Sequence, residues 1–173
     1  MKRLMIPFAL AAFLFPVAST AQNGLIDPSF EISRYLGTWY EIARFDHSFE
    51  RGMDNVTAEY ILRDDGKIAV FNSGWKNGKM KVTEGKAKQT DPIFDPAALK
   101  VSFFLFFYSD YNILMLDDDY QVSLVGSDSP DYLWILSRTP ILNDEVLDMI
   151  LAEAELRGYD TTKLIWVNQN RNI

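Results

Sequence analysis

Short runs of alternating apolar and polar side chains follow one another along the chain from about residue 38. Alternation with a period of two is typical of β-strands that bury one face. Groups of Gly, Asp, Asn and Pro separate the runs and favour the tight turns of hairpins. The pattern predicts eight strands, near residues 38–45, 56–62, 67–74, 82–89, 98–103, 111–116, 120–126 and 132–137. Such a series, with consecutive strands as antiparallel neighbours, predicts a barrel or a sandwich.

The period changes to that of a helix after residue 142. Asn143 followed by Asp144 and Glu145 is typical of a helix N-cap with acids in the first turn. Apolar residues then recur at helical spacing as far as Ala154, and Gly158 is expected to end the helix. A last short strand is predicted at residues 164–167.

Parity along the strands predicts which side chains face the barrel interior, because alternate side chains point to opposite faces. The interior set is mainly apolar, with Asn72 as a polar member for which a ligand contact and a buried water are equal alternatives. The predicted ligand-lining residues are Ala43, Phe45, Val56, Ala58, Tyr60, Val70, Asn72, Val101, Phe103, Tyr111, Ile113, Met115, Leu124, Trp134 and Leu136.

Small residues in the interior predict free space beside the larger rings. Gaps of this kind would form an apolar cleft suited to an acyl chain, whereas the alternative is an interior that side chains fill completely. The small positions are Ala43, Ala58, Gly85 and Ala87. Four apolar residues of the opposite parity need cover, which the helix is expected to provide: Tyr40, Ile42, Leu133 and Ile135.

The connection over residues 46–55 is longer than the hairpin turns and contains the single histidine, His47. Long loops at the mouth of small barrels are often lids. Four basic residues are expected near this open end, with Arg44 on the outer face. The candidates for contact with an anionic head group are Arg44, Arg51, Lys76 and Lys79. The alternative is that these side chains are ordinary solvated surface.

The apolar run from Phe104 to Tyr108 is expected at the same end. An exposed apolar lip can touch a membrane, pair two barrels as a homodimer, or guard the mouth. The equal alternative is that the run tucks into the barrel.

Residues 1–21 have the composition of an export signal. A basic start precedes an apolar stretch, and a Ser-Thr-Ala triplet ending at Ala21 supplies the small residues of a cleavage site. Cleavage there leaves a leader at residues 22–33 and one domain at residues 34–173. The chain has no cysteine, which excludes disulfides, thiolate metal sites and a lipid anchor on cysteine.

The charge of the chain bears on its partners. The full sequence carries a net charge of −7, and removal of the basic residues of the signal makes the mature chain more negative. A polyphosphate backbone is therefore an unfavourable partner, and we expect no nucleic-acid binding. Aromatic residues make up 14 % of the chain and are spread along it, which suits a large apolar interior.

Two motifs carry a family resemblance. Gly37 and Trp39 at the start of the first strand resemble the Gly-x-Trp signature of lipocalins, and Arg138 matches the arginine that packs over that tryptophan. Asp131 and Tyr132 stand in the place of the family's middle motif. The chain is most similar to the bacterial outer-membrane type. The resemblance implies an all-β fold, an eight-stranded antiparallel up-and-down barrel with a C-terminal helix packed outside and a short final strand.

The same resemblance implies a function. It is that of a carrier that stores or transports long-chain fatty acids or lysophospholipids in the bacterial envelope, without a cofactor, and dimeric in some members. Proteins of this type typically have a lipid-anchor cysteine at the cleavage site, where this chain has Thr20, Ala21 and Gln22. We therefore expect export to the periplasm, with outer-membrane association and release to the medium left open.

His47 suggests other interpretations. With Ser48 beside it and no cysteine, it gives poor support for a catalytic triad, so we expect no catalytic residue and no enzyme. As an axial ligand it would suit haem or another tetrapyrrole, which stays an alternative, as does a protein-binding barrel that acts through its loops. The aspartates at 117–119 are expected to form a turn and not a metal site.

Overall fold

The computed structural model describes residues 30–104 and 107–172. The predicted signal at residues 1–21 and residues 22–29 of the leader lie outside this part of the chain. Eight strands form the barrel: β1 (Gly37–Arg44), β2 (Asp54–Leu62), β3 (Ile68–Lys76), β4 (Lys79–Asp91), β5 (Asp95–Phe104), β6 (Phe107–Leu116), β7 (Val122–Gly126) and β8 (Leu133–Ser137). A helical turn, α1 (Ile32–Tyr35), precedes them, and the helix α2 (Asp144–Leu156) and the strand β9 (Ile165–Trp166) follow.

The sheet closes on itself. Consecutive strands are hydrogen-bonded neighbours, and β1 pairs antiparallel with both β2 and β8. A two-residue turn joins β3 to β4 through Asn77 and Gly78, both at positive φ as a type I′ turn requires. This confirms the eight-stranded antiparallel barrel, together with the external helix and the short final strand. Within the described ranges, no helix has the length and apolar character needed to cross a membrane.

The first and second strands separate towards the open end. Their ladder covers only residues 37–40 of β1, and beyond it β9 pairs with Ala43 and Arg44. The side-chain amide of Gln169 donates to the carbonyl oxygens of Glu41 and Val56, each at 2.8 Å, and so joins the two strands where they part.

The helix α2 covers the outer face of the barrel. The side chain of Asn143 accepts a hydrogen bond from the backbone N of Val146, which caps the helix, and Gly158 follows its end at φ 88°. Ile150 and Ala154 are completely buried, and they pack in one cluster with apolar residues of the barrel's outer face. The cap and the cover for Tyr40, Ile42, Leu133 and Ile135 are therefore confirmed.

Register shifts correct part of the predicted interior. One shift in β1 lies between Glu41 and Ala43 and one in β6 between Ile113 and Met115, and each reverses the side-chain parity of its strand. Ala43, Phe45 and Met115 consequently pack on the helix side, so their predicted interior position is wrong.

Leu124 also packs against the helix and not inside. In β7 the inward residues are Ser123, which approaches the hydroxyl of Tyr35, and Val125, which joins the interior cluster. All five residues of β7 are buried, so polarity gave no way to tell its two faces apart.

Candidate functional site

The closed end of the barrel is sealed around Trp39. The guanidinium carbon of Arg138 lies 3.8 Å from the ring centroid of Trp39, and the indole Nε1 donates to the carbonyl oxygen of Tyr35 at 2.8 Å. Gly37 adopts φ 90°, and a β-carbon there would lie 3.5 Å from Nη1 of Arg138. The signature residues thus form the floor beneath the interior and do not line an opening.

Three tyrosines form a polar layer inside the barrel, which we call the tyrosine cluster: Tyr35, Tyr60 and Tyr111. The hydroxyl of Tyr111 lies 2.8 Å from the hydroxyls of both others, and that of Tyr35 also approaches Ser123 at 3.4 Å. Burial raises the pKa of Tyr35 to about 12 and those of Tyr60 and Tyr111 well above their usual value. The hydroxyls are therefore neutral, and the layer is held by hydrogen bonds.

An apolar wall continues from this layer along β2 to β6. Val70 and Ala87 are buried on it, whereas Ala58 and Val101 are only half-buried. Gly85 lets the ring of Phe103 lie against β4, because a β-carbon at Gly85 would come within 2.6 Å of that ring. Of the predicted interior residues, the structure brings together Ala58, Tyr60, Val70, Val101, Tyr111, Ile113, Trp134 and Leu136 in one cluster.

The remaining two predicted lining residues lie in β2 and β3. Val56 lies within a register shift of β2 and is buried beside Gly74 of β3. Asn72 pairs with Ala58, and its buried Oδ1 has no hydrogen-bond partner within the described residues. Its oxygen is therefore available to accept a hydrogen bond from a ligand or from a buried water.

Ionisable side chains are buried at the open end, in a group that we call the mouth cluster: Glu41, Arg44, His47 and Glu50. Nη1 of Arg44 lies 2.5 Å from Oε1 of Glu41, and Nη2 donates to the backbone oxygen of Glu50 at 2.9 Å. Oε2 of Glu50 accepts from Nε1 of Trp134 at 3.3 Å and lies 3.2 Å from Nε2 of His47. Arg44 is 1 % exposed and Glu41 3 %.

The register shift in β1 turns Arg44 towards the interior, whereas Glu41 precedes the shift and has the inward parity of Trp39. Glu41 pairs with Leu136 and Arg44 with Trp134, and both partners belong to the interior cluster. The prediction that Arg44 lies on the outer face is therefore wrong, because the extra residue in β1 reverses its parity. Sequence analysis missed Glu41 and Glu50 altogether. Glu41 is a charged residue on an otherwise apolar inward face, and Glu50 lies in the β1–β2 loop, to which strand parity does not apply.

Burial controls the protonation of the mouth cluster. It raises the pKa of Glu41 well above its usual value, an effect that nearby Glu50 strengthens and Arg44 opposes. Burial likewise raises the pKa of Glu50, and it lowers the pKa of His47 to about 4 with a further contribution from Arg44. Arginine is the one cationic side chain type in the group. Both carboxyl groups lie within its electrostatic influence.

The other predicted cations are more exposed. Arg51 is exposed and pairs with Asp46 at 2.8 Å. Lys76 and Lys79 face each other across the β3–β4 turn, where Lys76 is half-buried and Lys79 exposed. Their role in binding a head group stays a prediction.

Aromatic rings surround the mouth cluster. His47 stacks on Phe49 with ring centroids 3.9 Å apart, and the centroid of Trp134 lies 5.2 Å from that of His47. Tyr132 follows Asp131 on the connection between β7 and β8, and its ring stacks on that of Trp134 with centroids 5.9 Å apart. His47, the residue that the tetrapyrrole alternative requires, is thus buried between rings.

The apolar lip is the tip of the β5–β6 hairpin. Phe104 pairs with Phe107, and residues 105 and 106 lie outside the described part of the chain. Phe107 is 74 % exposed, while Lys86 and Lys88 lie over the ring of Tyr108. A membrane or dimer contact through this lip stays a prediction.

Comparison with known proteins agrees with this geometry. Residues 30–169 match the family described as the lipocalin-like domain. The chain is 53 % identical over 165 residues to the outer membrane lipoprotein Blc of Citrobacter freundii, covering 92 % of each protein. It is 50 % identical over 170 residues to that of Escherichia coli K12, covering 95 % of this chain and 96 % of the relative.

A solved structure shows the same fold. Insecticyanin from the tobacco hornworm Manduca sexta aligns with a TM-score of 0.69 at 21 % identity, over 83 % of this chain and 82 % of that one. The closed barrel, the tryptophan floor under its arginine and the match over residues 30–169 lead to one conclusion: the chain belongs to the lipocalin family.

Proposed function

We propose that the barrel carries a single-chain amphiphile, a long-chain fatty acid or a lysophospholipid, in the bacterial envelope. The observation that carries the proposal is the incomplete packing of the inner wall. Ala58, Val101 and Trp134 belong to the interior cluster, yet they are only half-buried. An acyl chain against this wall would cover them, whereas an interior packed by side chains alone would leave them buried.

The energetics are adequate for reversible carriage. At ~0.8 kcal/mol for each buried CH₂, a chain of roughly sixteen carbons gains about 12 kcal/mol at most. Association costs roughly 4 to 15 kcal/mol. Micromolar affinity is therefore reasonable, and discrimination between chains that differ by one methylene is expected to be weak.

The envelope location rests on different observations. The relatives at 53 % and 50 % identity are named outer membrane lipoproteins. The composition of residues 1–21 supports export, and the absence of cysteine argues against the lipid anchor that the word lipoprotein implies. We therefore propose a periplasmic carrier that involves no covalent chemistry.

Native mass spectrometry of the mature protein, with lipid identification after denaturing extraction, tests the carrier function. A co-purified acyl chain is the expected result. Ala58→Phe should fill the interior and reduce uptake of a fluorescent fatty acid at least roughly tenfold. Ala152→Phe, on the exposed side of α2, is the matched control. Uptake by Ala58→Phe equal to that by Ala152→Phe, with both variants folded by circular dichroism, would contradict the proposal.

A further inference from the structure

We propose that the mouth cluster binds the ammonium group of a ligand, with Glu50 as the counter-charge and the ring of Trp134 as the adjoining wall. The inference rests on the proposed function, because it specifies the head group of the carried amphiphile. It commits to a cationic or zwitterionic head, such as that of a lysophospholipid with an amine, over the bare carboxylate of a fatty acid.

The first argument is the balance of charge. Two buried carboxyl groups lie near Arg44, the one buried arginine among the described residues: Glu41 contacts its guanidinium directly, and Glu50 lies within its electrostatic influence. A buried carboxylate without a full counter-charge is costly, and burial accordingly raises the pKa of both groups. An ammonium beside Glu50 would supply the second positive charge, so that both carboxylates could ionise.

The second argument is the composition of the walls. The rings of His47, Phe49, Tyr132 and Trp134 form a continuous series beside Glu50. Aromatic faces attract alkylated and primary ammonium groups, and they do so more strongly where water is excluded. Phe49 and Tyr132 are partly exposed at the rim, so these rings extend from the outside to the buried carboxylates.

The third argument is the unmet hydrogen bonding of His47. The residue is 6 % exposed, and neither ring nitrogen has a hydrogen-bond partner within the described residues. Nε2 lies near Glu50 but without hydrogen-bond alignment. A buried imidazole of this kind marks a place for a polar group. In its neutral form it offers an acceptor to an ammonium N–H.

An anionic head group is the main competitor, because Nε of Arg44 is also buried without a partner. A ligand carboxylate there would be the third acid around one guanidinium, and it would require further protons to be taken up. The other nearby charges, Asp46 and Arg51, pair with each other at the surface and leave this balance unchanged. The hydroxyl of Tyr60 below the cluster is neutral.

Calorimetric titration of the mature protein at pH 7.5 with three decyl amphiphiles, decylammonium, decan-1-ol and decanoate, tests the inference. Decylammonium should bind roughly tenfold or more tightly than decan-1-ol, since it adds charge-assisted hydrogen bonds. Glu50→Gln should bring the two affinities together, because it removes the charge that distinguishes the ammonium from the alcohol. Glu59→Gln, an exposed carboxylate of β2, is the matched control and should keep the wild-type ratio.

Two further readouts do not depend on the folding of the Glu50 variant. Titration in buffers of different ionisation enthalpy should show proton release when decylammonium binds, because the ammonium allows the carboxyl pair to ionise. Phe49→Leu, at an exposed position, should weaken decyltrimethylammonium binding about twofold to fivefold more than it weakens decanol binding.

The outcomes separate the two proposals. Equal affinities of the wild type for decylammonium and decanol, or an undiminished ratio in Glu50→Gln, would overturn the ammonium site while leaving the acyl carrier in place. Tighter binding of decanoate than of decylammonium would overturn it in favour of Arg44 as an anion site. If none of the three amphiphiles binds, both the carrier function and the ammonium site are wrong.

Discussion

The guanidinium of Arg138, just after β8, lies over the indole of Trp39, near the start of β1, at 3.8 Å. It also donates to four backbone carbonyl oxygens, those of Arg34, Leu36, Thr38 and Tyr120, at 2.8 to 3.2 Å. One side chain therefore ties α1, β1 and the β6–β7 turn into the floor of the barrel.

Replacement of Arg138 should weaken the whole barrel. Arg138→Ala is expected to lower the free energy of unfolding by about 3 kcal/mol, because several carbonyl groups lose a charged donor. Urea denaturation measures the change. Arg63→Ala removes an exposed arginine paired with Asp65 and should stay within about 0.5 kcal/mol of the wild type. Equal effects of the two variants would show that the floor contacts add no stability.

The tyrosine cluster predicts an unequal effect of two similar substitutions. Tyr111→Phe removes the hydroxyl that contacts both Tyr35 and Tyr60, whereas Tyr60→Phe removes a hydroxyl at one end of the series. We expect Tyr111→Phe to cost about 2 kcal/mol of unfolding free energy and Tyr60→Phe about 1 kcal/mol. Thermal and urea denaturation of the two variants would show this order. The reverse order would contradict the central position of Tyr111.

Gly85 is required by the packing of the inner wall. A β-carbon there would lie 2.6 Å from the ring of Phe103 and 2.8 Å from the backbone oxygen of Ser102. Gly85→Ala should destabilise the fold by about 1 to 3 kcal/mol in urea denaturation. Adding Phe103→Leu should recover only part of the loss, because the backbone oxygen cannot move aside. Complete recovery of the unfolding free energy in the double variant would show that all of the strain arises from the ring of Phe103.

Glu41 should make stability fall with rising pH. Its folded-state pKa is raised above 4.5, so the folded protein binds this proton more tightly than the unfolded chain does. The resulting stabilisation is complete below pH 4.5 and is lost as the pH rises towards the raised pKa. The loss is up to about 1.4 kcal/mol per pH unit relative to Glu41→Gln.

Urea denaturation of the wild type and Glu41→Gln at pH 5, 6 and 7 measures this difference. Glu59→Gln provides the baseline of an exposed carboxylate on β2. Parallel curves for the wild type and Glu41→Gln would show that Glu41 is ionised in the folded protein throughout this range.

The alternation of the chain was sufficient to predict the strands, the helix and the antiparallel order, because these depend on local periodicity and turn chemistry. It was insufficient for the two faces of β1 and β6. An extra residue at Ile42 or Leu114 reverses every following side chain, and an isoleucine or leucine in a strand is no sign of such a shift. Arg44 was for this reason expected in water, although it is buried beside Glu41.

The mouth cluster was out of reach for a second physical reason. Glu50 and Trp134 are separated by 84 residues and meet only because the long β1–β2 loop folds back over β8. Acidic residues in loops are ordinarily solvated, so their composition gave no sign of burial. The floor, in contrast, was predictable residue by residue from the family motif.

The junction that Gln169 makes between β1 and β2 has a consequence for the order in which the barrel is completed. Gln169 lies 128 residues beyond Glu41, so it is synthesised after all the strands and the helix α2. A chain still leaving the ribosome lacks this residue, so these two hydrogen bonds cannot yet join the strands beside the mouth cluster. The junction can therefore close only after the last residues have been made, which makes the finished mouth a late product of synthesis.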